Sequence, residues 1–110
     1  MPAKPRYIIV LVTTSSSEEA GKIARKLVIE KLAACCNIVD SIRSIYTWES
    51  KVCDEAECMI IIKTQQKLFK KLAARIKSLH SYQTPEILAI SIIAGSQPYL
   101  DWILQNTSKS

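Results

Sequence analysis

The chain has 110 residues, 48% of them apolar, and carries 15 Lys and Arg against 10 Asp and Glu, for a net charge of +5. This length suits one domain with one core, and an apolar share this high excludes a disordered chain. With only 2 glycines no Gly-rich phosphate loop can be written. No apolar run approaches the roughly 18 residues of a membrane span. The N-terminus passes from Lys4 and Arg6 into an apolar run without a small-residue cleavage site. No secretory leader is therefore expected, and the cytoplasm is the expected compartment.

The positive surplus is local. Lys63, Lys67, Lys70, Lys71, Arg75 and Lys77 follow one another with no Asp or Glu between them. Without an aromatic ladder for base stacking, this stretch reads as a solvated helix face, open to an acidic protein partner rather than to nucleic acid. The 4 cysteines, at positions 35, 36, 53 and 58, form no CxxC pair and share the chain with a single His. That excludes the usual structural zinc pattern and reads as small buried hydrophobes in a reducing compartment.

Residues 1–5 should be loose, and Tyr7–Val12 is a β-branched run apolar on both faces, hence a central strand. Ser16 and Glu19 have the spacing of a capping box, and the helix they open buries Ala20, Ile23, Ala24, Leu27 and Val28. From Cys35 to Glu49 the pattern is extended, with Cys36, Ile38, Ile42, Tyr46 and Trp48 on one face. Glu49 to Lys51 reads as a hairpin turn, and the strand returns over Val52–Lys63. Thr64 is placed to cap a second helix with the stripe Leu68, Leu72, Ile76 and Leu79. His80 to Pro85 is turn-like, since Pro85 restricts Thr84 and cannot continue a helix. Glu86–Ala94 is the last strand, Pro98 opens a short final helix, and residues 107–110 should be loose.

The order βαββαβ with a terminal helix predicts an α+β, ferredoxin-like domain over residues 1–110, with both main helices on one face of a four-stranded sheet. The central strands are nevertheless apolar on both faces, so the face without helices would be a large exposed apolar patch. A second copy of the same sheet is the simplest cover, which predicts an obligate homo-oligomer.

Function must be read from sites rather than from this fold. The central strands lack the aromatics of an RNA-recognition module, and no nucleophile stands in a recognisable setting beside His80, so a binding protein rather than an enzyme is expected. Hydrogen-bonding and aromatic residues gather at strand ends and helix starts, where clefts form. Trp48, Lys63, Thr64, Tyr82 and Glu86 are the candidate cleft residues. His80 and Glu86 flank one turn and offer a nitrogen and an oxygen to a metal ion.

Five segments in order resemble the CutA family, the divalent-cation tolerance proteins. They are Glu30-Lys-Leu-Ala-Ala-Cys-Cys-Asn-Ile38, Ser44-Ile-Tyr-Thr-Trp-Glu-Ser-Lys51, Ile62-Lys-Thr64, Leu79-His-Ser-Tyr-Gln-Thr-Pro-Glu-Ile87 and Tyr99-Leu-Asp-Trp102. The resemblance implies a non-enzymatic homotrimer that binds copper or another divalent cation in metal-ion tolerance, with a small-ligand sensor similar to the PII signalling proteins or a trimeric scaffold for a protein partner as the alternatives. Carried over by position, the metal ligands proposed in some bacterial members fall at Val12, Leu79 and His80, of which only His80 has a ligand atom. Ser50 stands where the family often has Gly.

Overall fold

The computed structural model describes residues 4–107, so the expected loose ends at residues 1–3 and 108–110 lie outside the described residues. Four strands form one antiparallel sheet: β1 (Tyr7–Thr14), β2 (Cys35–Trp48), β3 (Lys51–Gln65) and β4 (Ile87–Ser91), in the order β2-β3-β1-β4. Three α-helices accompany it: α1 (Ser17–Ile29), α2 (Phe69–Leu79) and α3 (Gln97–Gln105). This is the mixed α+β, βαββαβ arrangement that the periodicities predict.

Alternation along the strands sorts the residues. Ile8, Val10 and Val12 of β1 and Cys58, Ile60 and Ile62 of β3 face α1 and α2, and all are buried with Ile23, Leu27, Leu72 and Ile76 in one core. The other face carries Ile9 and Leu11 opposite Ile61 and Lys63 on one side and Leu88 and Ile90 on the other. There Leu88 is 57% and Ile90 50% exposed. The apolar second face is therefore real and open over β4.

Helix α1 begins as its cap predicts, with Ser16 Oγ accepting from the Glu19 N–H at 3.1 Å. The reciprocal half of the box is shifted by one residue: Glu19 Oε1 accepts from the Ser15 N–H and hydroxyl at 3.3 and 3.0 Å. The other oxygen, Oε2, accepts from the Ser81 N–H at 2.7 Å and so ties the start of α1 to the loop after α2. Burial pushes the Glu19 carboxyl up, but the donors at Ser81 and Ser15 outweigh it and hold the group below its usual value. A carboxyl whose folded value is depressed stabilises above its unfolded pKa, about 4.3, and the contribution fades as pH falls through the folded value. The stability lost in Glu19→Gln should therefore be full at neutral pH and vanish in acid; a constant loss across chemical denaturation curves from neutral to strongly acid pH would refute this role.

Three expectations are corrected. Thr64 caps no helix: β3 continues to Gln65, and the buried Thr64 hydroxyl donates to the Leu32 carbonyl at 2.7 Å. The chain enters α2 through a single 3-10 turn, Gln66–Leu68, without a side-chain cap. Strand β4 stops at Ser91 rather than Ala94 because its neighbour β1 runs out; Ser91 pairs with Ile8, and the Ile92 N–H reaches the Tyr7 carbonyl as the last contact. Thr107 is no loose end, being buried, accepting from Gln65 Nε2 at 2.6 Å and donating to the Ile103 carbonyl.

The fourth correction matters most for the site. The β2–β3 pairing moves from Val39 opposite Met59 to Ile42 opposite Glu57, so Asp40 and Ser41 together face Cys58. This is a bulge, and one inserted residue turns every later side chain to the other face. The Cys58 thiol donates to the Asp40 carbonyl at 2.9 Å and satisfies the backbone group the bulge frees. Cys36 and Ile38 thus lie opposite Ile62 and Ile60 on the helix side, whereas Ile42, Tyr46 and Trp48 lie on the open side with Glu57. Past Thr14 the β2–β3 hairpin has no third strand and projects as an arm, giving the molecule extents of 50 × 25 × 21 Å. Its turn has Glu49 at φ 50° and Ser50 at φ 65°, both left-handed, as a two-residue hairpin turn matched to strand twist requires.

Candidate functional site

A cavity of about 610 Å³ opens where the arm leaves the sheet. Thr13 supplies the end of β1, Ser44, Ile45, Tyr46 and Trp48 come from β2, Glu57 from β3, and Tyr82, Gln83, Thr84 and Glu86 from the loop before β4. The bulge is what puts the β2 residues here, and Pro85 keeps the loop out of helix so that it can cross the face. Three expected cleft residues, Trp48, Tyr82 and Glu86, line this one cavity. Lys63 and Thr64 lie elsewhere: the Lys63 ammonium donates to Asn37 Oδ1, and Thr64 is buried under α1 and β2 against Leu32.

Glu57 is the residue that sequence reading passes over. It is buried at 7% exposure, and its Oε2 accepts from the Tyr82 hydroxyl at 2.6 Å. In a strand pattern it looks like an ordinary solvent-facing carboxylate, and only the loop folded over it reveals its burial. Burial and then Glu57 push the Tyr82 phenol well up, so it stays a hydrogen-bond donor at neutral pH. Tyr46 is raised in the same way, by desolvation and then by Glu55, Cys53 and Glu57. The lining includes Glu57 and Glu86 and, among the described residues, contains no Lys, Arg or His.

His80 sits behind this wall rather than in it. Its ring packs against Tyr82 with centroids 4.7 Å apart, and its side chain is fully buried. Nε2 lies 2.7 Å from the Thr13 carbonyl, which can only accept, so that nitrogen carries the proton. Nδ1 accepts from the Tyr82 N–H at 3.0 Å. Both nitrogens are occupied, and neither has a lone pair free for a metal. Glu86 does not join it, because Glu86 lines the cavity in front.

The residues present do not fit the expected metal centre. Among the described residues no group of three or more His, Cys, Asp or Glu side chains is placed to hold an ion. The thiols do not repair this: burial and the adjacent Cys35 push the Cys36 thiol up to about 12, away from the thiolate form that binds metals.

An α+β domain with one helix-covered face, one open apolar face and an acidic, aromatic cleft at the root of a hairpin arm places the chain in the split βαβ class. Residues 8–106 match the family model described as CutA1 divalent ion tolerance protein. The divalent-cation tolerance protein CutA of Thermus thermophilus is 46% identical over 90% of this chain and 96% of its own length. The chloroplastic Protein CutA of Arabidopsis thaliana is 44% identical over 91% of this chain, which spans only 55% of that relative. Solved structures agree: CutA1 from Oryza sativa superposes with a TM-score of 0.93 at 41% identity, covering 96% of each chain. A protein titled periplasmic divalent cation tolerance protein CutA, from Archaeoglobus fulgidus, gives 0.90 at 39% identity, covering 93% of this chain and 99% of its own. The chain belongs to the CutA1 divalent ion tolerance family.

Proposed function

We propose that the chain is a non-enzymatic homotrimer that serves divalent-cation tolerance by sensing a small ligand in its acid and aromatic cleft, rather than by holding copper on His80. The observation that carries this reading is the convergence of Trp48, Tyr82 and Glu86 from separate parts of the chain on one cavity, while both nitrogens of His80 are spent on Thr13 and Tyr82. The tolerance role comes from the names of its relatives. Trimerisation is supported by the open face of Ile9, Leu11, Leu88 and Ile90, and by an arm that projects as a two-stranded ribbon with Val52 exposed. Such a ribbon is marginal in water on its own and gains most from a neighbour. The four free thiols suit a reducing compartment such as the cytoplasm. The basic face of α2 is the surface offered to an acidic protein partner.

Thermal-shift measurements against metabolites, with copper as a separate arm, test the division. The expected result is a shift of several degrees with at least one metabolite, abolished by Trp48→Ala, and a copper response that is the same in the parent and His80→Ala. Stabilisation by copper alone, lost in His80→Ala, would reverse the conclusion.

A further inference from the structure

Building on the sensing role just proposed, we infer that the cleft takes a small organic ammonium ion. Three rings, Tyr46, Trp48 and Tyr82, share its lining with two carboxylates, Glu57 and Glu86. Aromatic faces attract cations through their quadrupoles, most strongly where water is excluded, and a carboxylate beside them supplies the countercharge. The cleft is distinctive within this chain. In a protein with 15 Lys and Arg and a net charge of +5, its lining includes no basic side chain among the described residues.

Glu57 is the built part of the site. Its Oε2 is held by the Tyr82 hydroxyl, and among the described residues nothing else bonds the carboxylate, so Oε1 remains to accept from a ligand. Glu55 stands close to Tyr46, and Glu19 lies behind Tyr82, so the surroundings are negative on both sides. The one imidazole nearby, His80, is turned away with its proton on Nε2 toward Thr13. An anion would meet Glu57 Oε1 and the Glu86 carboxylate at close range, and a neutral ligand would bring them no countercharge. A bare Ca²⁺ or Mg²⁺ ion would find two carboxylates where it takes six or more oxygens, and Zn²⁺ or Cu²⁺ would find none of the imidazole or thiolate ligands they favour. An alkylammonium, large enough to cover the rings and singly charged, matches both features. The cavity, about 610 Å³, has room for one.

Calorimetric titration with choline and with ethanolamine tests this, beside two isosteres of choline shape: the alcohol with a tert-butyl group in place of trimethylammonium, and tert-butylacetate. The expected result is saturable binding of an ammonium probe at least tenfold tighter than either isostere, with at least tenfold loss in Glu57→Gln and in Trp48→Ala. Circular dichroism of both variants establishes that they fold, and Glu86→Gln, exposed at the rim, gives a variant that cannot fail through core disruption. Binding of the alcohol or the anion as tightly as the ammonium probes would overturn the ligand class while leaving the sensing role intact. Equal binding in the parent and Glu57→Gln would overturn the assignment of Glu57. Screening in which neither these probes nor any metabolite binds would overturn both the ligand class and the sensing role.

Discussion

The double variant Leu88→Glu, Ile90→Glu should sediment as a folded single chain of 12.3 kDa, and the parent, if the proposed trimer forms, at three times that mass. In one isolated chain both side chains are about half exposed, so the replacements should change its own stability little. Against a second sheet, the same carboxylates would lie beside Ile9 and Leu11 in the middle of an apolar contact. An unpaired charge taken out of water costs several kcal/mol, and a threefold assembly would bear that cost at every interface. The expected loss is therefore more than a hundredfold in association, read by analytical ultracentrifugation over a concentration series. A double variant that remains trimeric would move the subunit contact off this face. Aggregation instead of clean dissociation is avoidable by working at low concentration, where the exposed arm and sheet have no partner.

His80→Ala should lower the free energy of unfolding by about 2–4 kcal/mol, since it strands the Thr13 carbonyl and the Tyr82 N–H and leaves a cavity under the aromatic wall. The same variant should bind copper with the stoichiometry and affinity of the parent. These two readouts separate the pin from the ligand. A metal ligand on the surface could be lost with little change in stability, whereas a buried imidazole joining β1 to the α2–β4 loop could not. Denaturant midpoints and copper calorimetry on one preparation decide it: unchanged stability with lost copper binding would restore His80 as a ligand. His80→Ala should also weaken the cleft indirectly, because the Tyr82 ring leans on the imidazole and its hydroxyl holds Glu57.

Much of the architecture could be read from local pattern. The two-faced apolar run of β1, the 3.6-residue stripes of α1 and α2 and the Glu49–Ser50 turn each record a short-range preference and lie where the periodicity puts them, except that Val28, expected in the α1 stripe, is 42% exposed. Trp48, Tyr82 and Glu86 were legible as a group because large polar-edged side chains at strand ends have few structural uses. Lys63 and Thr64 belonged to the same list by type, but their positions are taken by Asn37 and Leu32, partners 26 and 32 residues away in the chain. Thr64 looked like a cap for the same reason: strand length is set by the neighbouring strand, and β1 extends β3 to Gln65 by pairing Tyr7 with it.

Taken alone, the sequence determined the order of elements, most of each core stripe and the apolar second face, because these depend on composition and on spacing within one element. Tertiary structure decided the site. An inserted residue at Asp40 and Ser41 turned Tyr46 and Trp48 from the helix side of the sheet to the side of Glu57. The loop at Tyr82 then closed over that carboxylate, and the backbone carbonyl of Thr13 accepted a hydrogen bond from His80 Nε2. A bulge leaves no mark in an alternating pattern, since it is the partner strand that fixes the register, and a histidine's free nitrogens are known only once both its neighbours are.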